Sequence, residues 1–322
     1  MKNGRQLVWI LDDEWFDHTI ERHIYEKNGF DVHVTRSENL EKDIPLYAPY
    51  ADGVVAQIGF PCGKDLIERL SSCKAIAISG VGYNHVDIEA ASNKGIIVSN
   101  VPDYCTEEVS DHTIALMFAV TRRLIAYRNQ VRSGKWDPLD TEPIHRFRNR
   151  TIGLLGFGRI ARLVAKKLSG FGVKLIAHDD YVPKQTFEEY GITPVTLEEL
   201  LRSSHILSLH VPLLPETANL LHYDRLKTMP EGSFIVNTCR GGIINESDLK
   251  VLIEEGHIAG VGLDVLEVEP PSADHPLLQM EEVLITPHSS YISIESVREL
   301  RERTCSIIID SVKGRKLAYS IN

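Results

Sequence analysis

With 322 residues, 43% of them hydrophobic and 25% charged, the chain is long enough to build two domains, each with its own core. A formal net charge of −10 argues against nucleic acid as a general partner, and no stretch approaches the ~20 apolar residues of a membrane span. The five cysteines are odd in number and form no Cys-x-x-Cys pair, which fits a reduced, cytoplasmic protein with no bound metal.

Short apolar runs alternate with helical stretches along the chain, the pattern of parallel-sheet α/β units. In the first third, strands are expected at 6–11, 31–34, 53–56, 74–78 and 96–99. Helices are expected between them, as at 17–28, where Gly29 marks the end, and at 64–70. A helical pattern then starts at Thr106, read as the N-cap, with Glu107 and Glu108 at the positive end of the dipole. It runs through Ile114, Leu116, Phe118 and Leu124 to Ser133-Gly134. At about 25 residues it is too long for a routine crossover and predicts a bridge between domains or a subunit interface. The basic run Arg146-Phe147-Arg148-Asn149-Arg150 reads as a solvated connector.

At residue 151 an apolar strand runs into Gly156-Phe157-Gly158-Arg159-Ile160-Ala161 and a helix over 159–168. Gly156 and Gly158 allow a tight turn and a close approach of backbone to phosphate, and Ala161 stands where a third glycine permits close helix–strand packing. Unpaired amides and the helix dipole then favour a pyrophosphate. A second strand, 173–177, ends at Asp179, close to the ~20-residue separation expected of the acid that binds an adenosine ribose diol. Asp180 follows and no arginine that would accept a 2′-phosphate, so the reading is NAD(H) rather than NADP(H).

Later strands are expected at 206–211, 233–237, 259–265 and 283–286, and a final helix from 294 to about 312 is expected to return to the first domain. The predicted organisation is a substrate domain over 1–103, completed by 290–322, and a dinucleotide-binding domain over 104–289. Both are doubly wound parallel α/β sheets. Each later strand ends in polar residues, where an open α/β sheet binds ligands. Arg240, Glu269 and His288 follow consecutive strand ends. An arginine holds a carboxylate by two hydrogen bonds. A histidine protonates a carbonyl oxygen as hydride reaches carbon, and a glutamate beside it orients the ring and favours its protonated form. That set suits reduction of a 2-oxo acid.

The chain resembles the D-isomer-specific 2-hydroxyacid dehydrogenases. The resemblance rests on Gly80-Val81-Gly82-Tyr83-Asn84-His85-Val86-Asp87, Asn100-Val101-Pro102, and the segments 156–161, 210–217, 237–242, 264–270 and 286–288. It implies that Arg240, Glu269 and His288 are the catalytic set, and that Val81 and Gly82 offer amides to the substrate carboxylate. It implies that Arg159, Ile160, Asp179, His210, Thr217, Thr238 and Asp264 contact NAD, with Asp264 by the nicotinamide carboxamide. The implied fold is a flavodoxin-like substrate domain split around a Rossmann NAD-binding domain, usually as a homodimer. Cys239 departs from the family's usual alanine. Residues 100–109 and Tyr291 are similar to a branch related to the C-terminal binding protein corepressors, so an NAD(H)-sensing interaction module is an alternative reading. A second alternative is 3-phosphoglycerate dehydrogenase.

Overall fold

The computed structural model describes residues 4–322. The chain separates into two units: one comprises the chain up to Tyr104 together with Ser293–Asn322, and the other is Cys105–Ile292.

In the first unit the order is β1 (Gln6–Leu11), α1 (Thr19–Lys27), β2 (Phe30–Thr35), α2 (Leu40–Tyr47), β3 (Ala51–Gln57), α3 (Lys64–Arg69), β4 (Ala75–Ser79), α4 (Ile88–Asn93) and β5 (Ile97–Ser99). All five strands are parallel and are ordered β2-β1-β3-β4-β5, the flavodoxin-like arrangement. The inner strands β1 and β4 read as nearly unbroken apolar runs because both faces are covered, whereas the edge strand β2 alternates. Trp9, Leu11, Val54, Ala56, Ile76 and Ile78 face one core. Val8, Ile10, Val55, Ala75 and Ala77 face the other, built with Tyr25 and with Cys305, Ile308, Ile309 and Val312. Those last four lie on the C-terminal helix, Ile294–Val312, which packs on β3, β4 and α1. A buried bidentate ion pair fixes it there: Arg301 Nε and Nη2 each donate at 2.6 Å to the Glu21 carboxylate on α1.

In the second unit the order is α5 (Thr106–Thr121), α6 (Leu124–Arg132), β6 (Thr151–Leu155), α7 (Arg159–Leu168), β7 (Lys174–His178), α8 (Lys184–Glu189), β8 (Thr193–Pro194), α9 (Leu197–Ser203), β9 (Ile206–Leu209), α10 (Tyr223–Leu226), β10 (Ser233–Asn237), α11 (Glu246–Glu254), β11 (Ile258–Leu263) and β12 (Val283–Ile285), so the C-terminal helix is α12. Its seven parallel strands are ordered β12-β11-β10-β9-β6-β7-β8. Counted from β6, this is the doubly wound Rossmann order, with one extra strand, and the winding reverses between β6 and β9.

The continuous helix expected from Thr106 to Ser133-Gly134 is two helices. The break falls at Arg122 and Arg123, and Arg123 adopts left-handed backbone angles (φ 55°, ψ 34°). The sequence shows no glycine or proline there. Long-range contacts hold the break: Arg123 Nη1 donates to the Ala259 carbonyl at 2.6 Å, and the guanidinium lies 5.5 Å from the centre of the Phe234 ring. Thr106 is the first helical residue rather than the N-cap, a position held by Cys105.

Candidate functional site

The dinucleotide turn sits at the winding reversal. Gly156 has φ +91°, and a Cβ there would lie 2.6 Å from the His210 carbonyl oxygen. The backbone after β9 therefore crosses directly over the end of β6, and only glycine fits. At Gly158 a Cβ would meet nothing within 4 Å, so space is open beside the first turn of α7. No side chain caps this helix, and among the described residues the amides of Arg159, Ile160 and Ala161 have no protein acceptor. An uncapped helix start facing open space behind a glycine turn fits a pyrophosphate. Arg159 is exposed, whereas Ile160 packs partly against the core.

Asp179 follows β7 and is half-buried. Its Oδ2 accepts the Phe157 amide at 2.8 Å and its Oδ1 the Tyr181 amide at 2.9 Å. The carboxylate thus braces the glycine turn and keeps further lone pairs for hydroxyl donors. His210 Nε2 is 2.9 Å from Ser208 Oγ, and burial pushes the imidazole down to about 3, so the ring is neutral at physiological pH. Thr217 closes the loop after β9: its hydroxyl donates to the Pro212 carbonyl at 2.6 Å and accepts the Leu214 amide at 2.7 Å.

Around Arg240, Glu269 and His288 the loops are tied together by backbone. A Cβ on Gly241 would lie 1.9 Å from the Leu266 carbonyl carbon and 2.3 Å from the Glu267 nitrogen. The chain just after Arg240 therefore runs in contact with the chain just before Glu269. Asn237 shapes the Arg240 turn by donating to the Arg240 carbonyl at 2.8 Å and accepting the Cys239 amide at 3.0 Å. The Arg240 guanidinium donates once, to the Cys239 carbonyl at 2.6 Å, and its other N–H groups have no partner among the described residues. Glu269 Oε1 accepts the Leu266 amide at 2.9 Å, and Oε2 lies 2.6 Å from His288 Nδ1. Burial alone would raise the Glu269 carboxyl. The hydrogen bond and charge of His288, with the Leu266 amide and the charge of Arg240, outweigh it and hold the carboxyl below its ordinary range. Glu269 is therefore ionised and accepts from Nδ1–H, which leaves Nε2 as the ring atom able to exchange a proton. The two side chains are each 33% exposed.

His288 has φ +50°, a region that non-glycine residues seldom occupy and that structures keep where the surroundings over-determine it. Asp264 supplies much of that determination. Its side chain is fully buried. Oδ1 accepts the Thr286 hydroxyl at 2.5 Å and the Ser289 amide at 2.9 Å, Oδ2 accepts the Ser290 amide at 2.9 Å, and the Asp264 carbonyl accepts the His288 amide at 2.8 Å. Thr238 is buried, with its hydroxyl 2.8 Å from that of Thr113 on α5. Burial raises the Cys239 thiol to about 11, which keeps it protonated and unreactive at neutral pH.

Val81 and Gly82 belong to the first unit and follow β4. Gly80 has φ +155°, and a Cβ there would lie 2.0 Å from Ile58 Cδ1. The Asn100 side chain donates to the Val81 carbonyl at 2.6 Å. Among the described residues the amides of Val81, Gly82 and Tyr83 have no protein acceptor, so three consecutive donors are available. Thr286 and the α5 residues His112 and Thr113 were not singled out from sequence. In the sequence His112 and Thr113 are the end of a polar run, Ser110-Asp111-His112-Thr113, and nothing local separates them from a solvated helix face.

The family model for the NAD-binding domain of the D-isomer specific 2-hydroxyacid dehydrogenases matches residues 114–290. A glyoxylate reductase of Korarchaeum cryptofilum is 35% identical over 82% of this chain and 80% of its own. A D-3-phosphoglycerate dehydrogenase of Archaeoglobus fulgidus is 33% identical over 92% of this chain, but the chain spans only 56% of that protein. Among solved structures, a D-lactate dehydrogenase of Aquifex aeolicus in complex with NAD and lactic acid superimposes with a TM-score of 0.87, at 25% identity, over 95% of this chain and 96% of that one. The glycine turn at the winding reversal, the two all-parallel sheets and these matches lead to one conclusion: the chain belongs to the D-isomer-specific 2-hydroxyacid dehydrogenase family and contains its NAD-binding domain.

Proposed function

We propose that this protein is an NAD-dependent oxidoreductase that interconverts a small 2-oxo acid and its D-2-hydroxy acid. The observation that carries this reading is the 2.6 Å pair of Glu269 and His288, in the same unit as a glycine turn fitted to a pyrophosphate. Bound NADH supplies the hydride. His288 holds its exchangeable proton at Nε2 and delivers it to the carbonyl oxygen, and Glu269 fixes the ring through Nδ1 and balances the charge. Arg240 grips the substrate carboxylate with its unengaged N–H groups. Gly156, Gly158, Arg159 and Ile160 hold the pyrophosphate. Asp179 takes the ribose diol, and His210, Thr217 and Thr238 line the cofactor. Asp264 acts from beneath, holding the loop of His288, because its carboxylate is enclosed by protein donors. The first unit serves as substrate domain, where Val81 and Gly82 offer amides to a carboxylate. The similarity to a glyoxylate reductase over four fifths of both chains supports a small acid.

A steady-state screen with NADH and NADPH against glyoxylate, pyruvate, hydroxypyruvate, phenylpyruvate and 3-phosphohydroxypyruvate tests the reading. The expected result is turnover with NADH, reduced about 10²–10⁴-fold by His288→Ala. Binding of NADH without turnover of any of these acids would refute it and favour a cofactor-sensing module. We further propose a homodimer built on α6 and the segment after it. No residue of α6 is buried, Leu124 and Val131 are about half exposed, and Trp136 and Leu139 are 85% and 88% exposed. Such an apolar surface seeks a partner. Sedimentation of wild type and of Trp136→Glu/Leu139→Glu checks it: a monomeric wild type ends this part of the reading.

A further inference from the structure

The mechanism above gives no role to His112, a histidine at the edge of the His288 loop. His112 lies on α5, which packs against β10, β11 and β12. Its Nε2 is 2.9 Å from Thr286 Oγ1 and 3.7 Å from Asp264 Oδ1. The Thr286 hydroxyl has one proton and gives it to Asp264 Oδ1 at 2.5 Å. Thr286 Oγ1 must therefore accept from His112, which fixes a proton on His112 Nε2. The result is a directed chain, His112 to Thr286 to Asp264, and Asp264 in turn receives the amides of Ser289 and Ser290 on the far side of His288. The next residue on α5 repeats the device at a second strand end. Thr113 commits its proton to the Val109 carbonyl at 2.7 Å, so at 2.8 Å it accepts from Thr238, two residues before Arg240. Adjacent residues of one rigid helix thus grip the loop of Arg240 and the loop of His288.

We propose that His112 is a positioning residue for the reaction at this site: through Thr286 and Asp264 it holds His288 in its left-handed backbone conformation with Nδ1 on Glu269. This rests on the reaction proposed above, although the brace itself can be read without it. Without the His112 donor, the Thr286 hydroxyl is free to rotate away from Asp264. The loop then samples other backbone angles, and the Nε2 proton is misplaced while the groups that bind cofactor and carboxylate stay where they are.

Two variants separate the donor from the ring: His112→Phe keeps an aromatic ring without N–H, and His112→Gln keeps an N–H donor. For His112→Phe the expected result is a kcat about 10-fold lower, with the KM for the 2-oxo acid and the Kd for NADH within about twofold. Amide exchange, followed by mass spectrometry over peptides covering 286–292, is expected to speed up about 10-fold. His112→Gln should restore both to within about threefold of wild type. Thr286→Val cuts the same chain one link further on and should speed exchange over the same segment. Unchanged exchange in the Phe and Val variants, or a Gln variant as impaired as Phe, overturns the brace. Should the wild type turn over no 2-oxo acid, the proposed reaction falls, and the exchange measurements alone decide the brace.

Discussion

Gly241 carries no chemistry, yet a single methyl group there would run directly into backbone. In Gly241→Ala the new Cβ would lie 1.9 Å from the Leu266 carbonyl carbon, 2.2 Å from its oxygen and 2.3 Å from the Glu267 nitrogen. All three are backbone atoms, so no rotamer change relieves the clash. To restore an ordinary contact of about 3.5 Å, the two loops must part by roughly 1.5 Å. Such overpacking costs about 1–3 kcal/mol of stability. The same movement carries Arg240 away from Glu269 and His288, and a misplacement of about 1 Å is enough for a loss of about 10²-fold in kcat. The neighbouring glycine is the control: a Cβ on Gly242 would meet only Leu213 methyl carbons, at 3.5 and 3.6 Å. Gly242→Ala is expected to stay within about 0.5 kcal/mol of wild type. Urea unfolding and NADH-linked turnover of the preferred 2-oxo acid, run on both variants, decide the matter. A Gly241→Ala protein as stable and active as its Gly242→Ala partner would refute the argument that backbone contact between the loops sets the geometry of the site.

Further outcomes follow from the same structure. Gly156→Ala forces a positive φ on alanine and drives its Cβ to 2.6 Å from the His210 carbonyl oxygen; NADH fluorescence titration should show at least about 10-fold weaker binding, an order of magnitude being the effect of about 1.4 kcal/mol of strain. Glu269→Gln removes the ionised acceptor of His288 Nδ1–H, and kcat should fall about 10²–10⁴-fold with the KM for NADH unchanged. The pH dependence of the native pair follows from the lowered Glu269 carboxyl: the pair is fully present above the ordinary value of 4.5 and is lost only as pH falls through the lower, folded value. A loss of activity traced to Glu269 at pH values above 4.5, in a profile compared with Glu269→Gln, would contradict that sign. In the first unit, Arg301→Ala leaves Glu21 without its bidentate partner beneath α12. The expected destabilisation is about 3–5 kcal/mol by urea titration, and less than 1 kcal/mol would show that the pair is screened.

Much of the fold was legible because it is written in local chemistry. Strand β1 was read at its observed limits, as were β10 and helix α7, since buried parallel strands are continuous apolar runs and α7 follows directly on its glycine turn. The helical pattern from Thr106 to Ser133-Gly134 gives two helices rather than one, at a break that has no local signal. Arg123 turns left-handed to reach the Ala259 carbonyl and the Phe234 ring, and neither residue is near it in sequence. At the site, Arg240, Glu269 and His288 could be nominated by residue type and by their places after strands. Their mutual distances could not.

The sequence by itself determined the class of fold and the glycine turn, because strand hydrophobicity and glycine spacing act over a few residues, and its ordered motifs carried the resemblance to the family. Tertiary structure decided which groups meet: that Gly241 touches the backbone at 266 and 267, that Asp264 is enclosed beneath the His288 loop, and that His112 reaches Thr286 across more than half of the chain. The physical reason is that hydrogen bonds and van der Waals contacts depend on separation in space, while a sequence records only separation along the backbone.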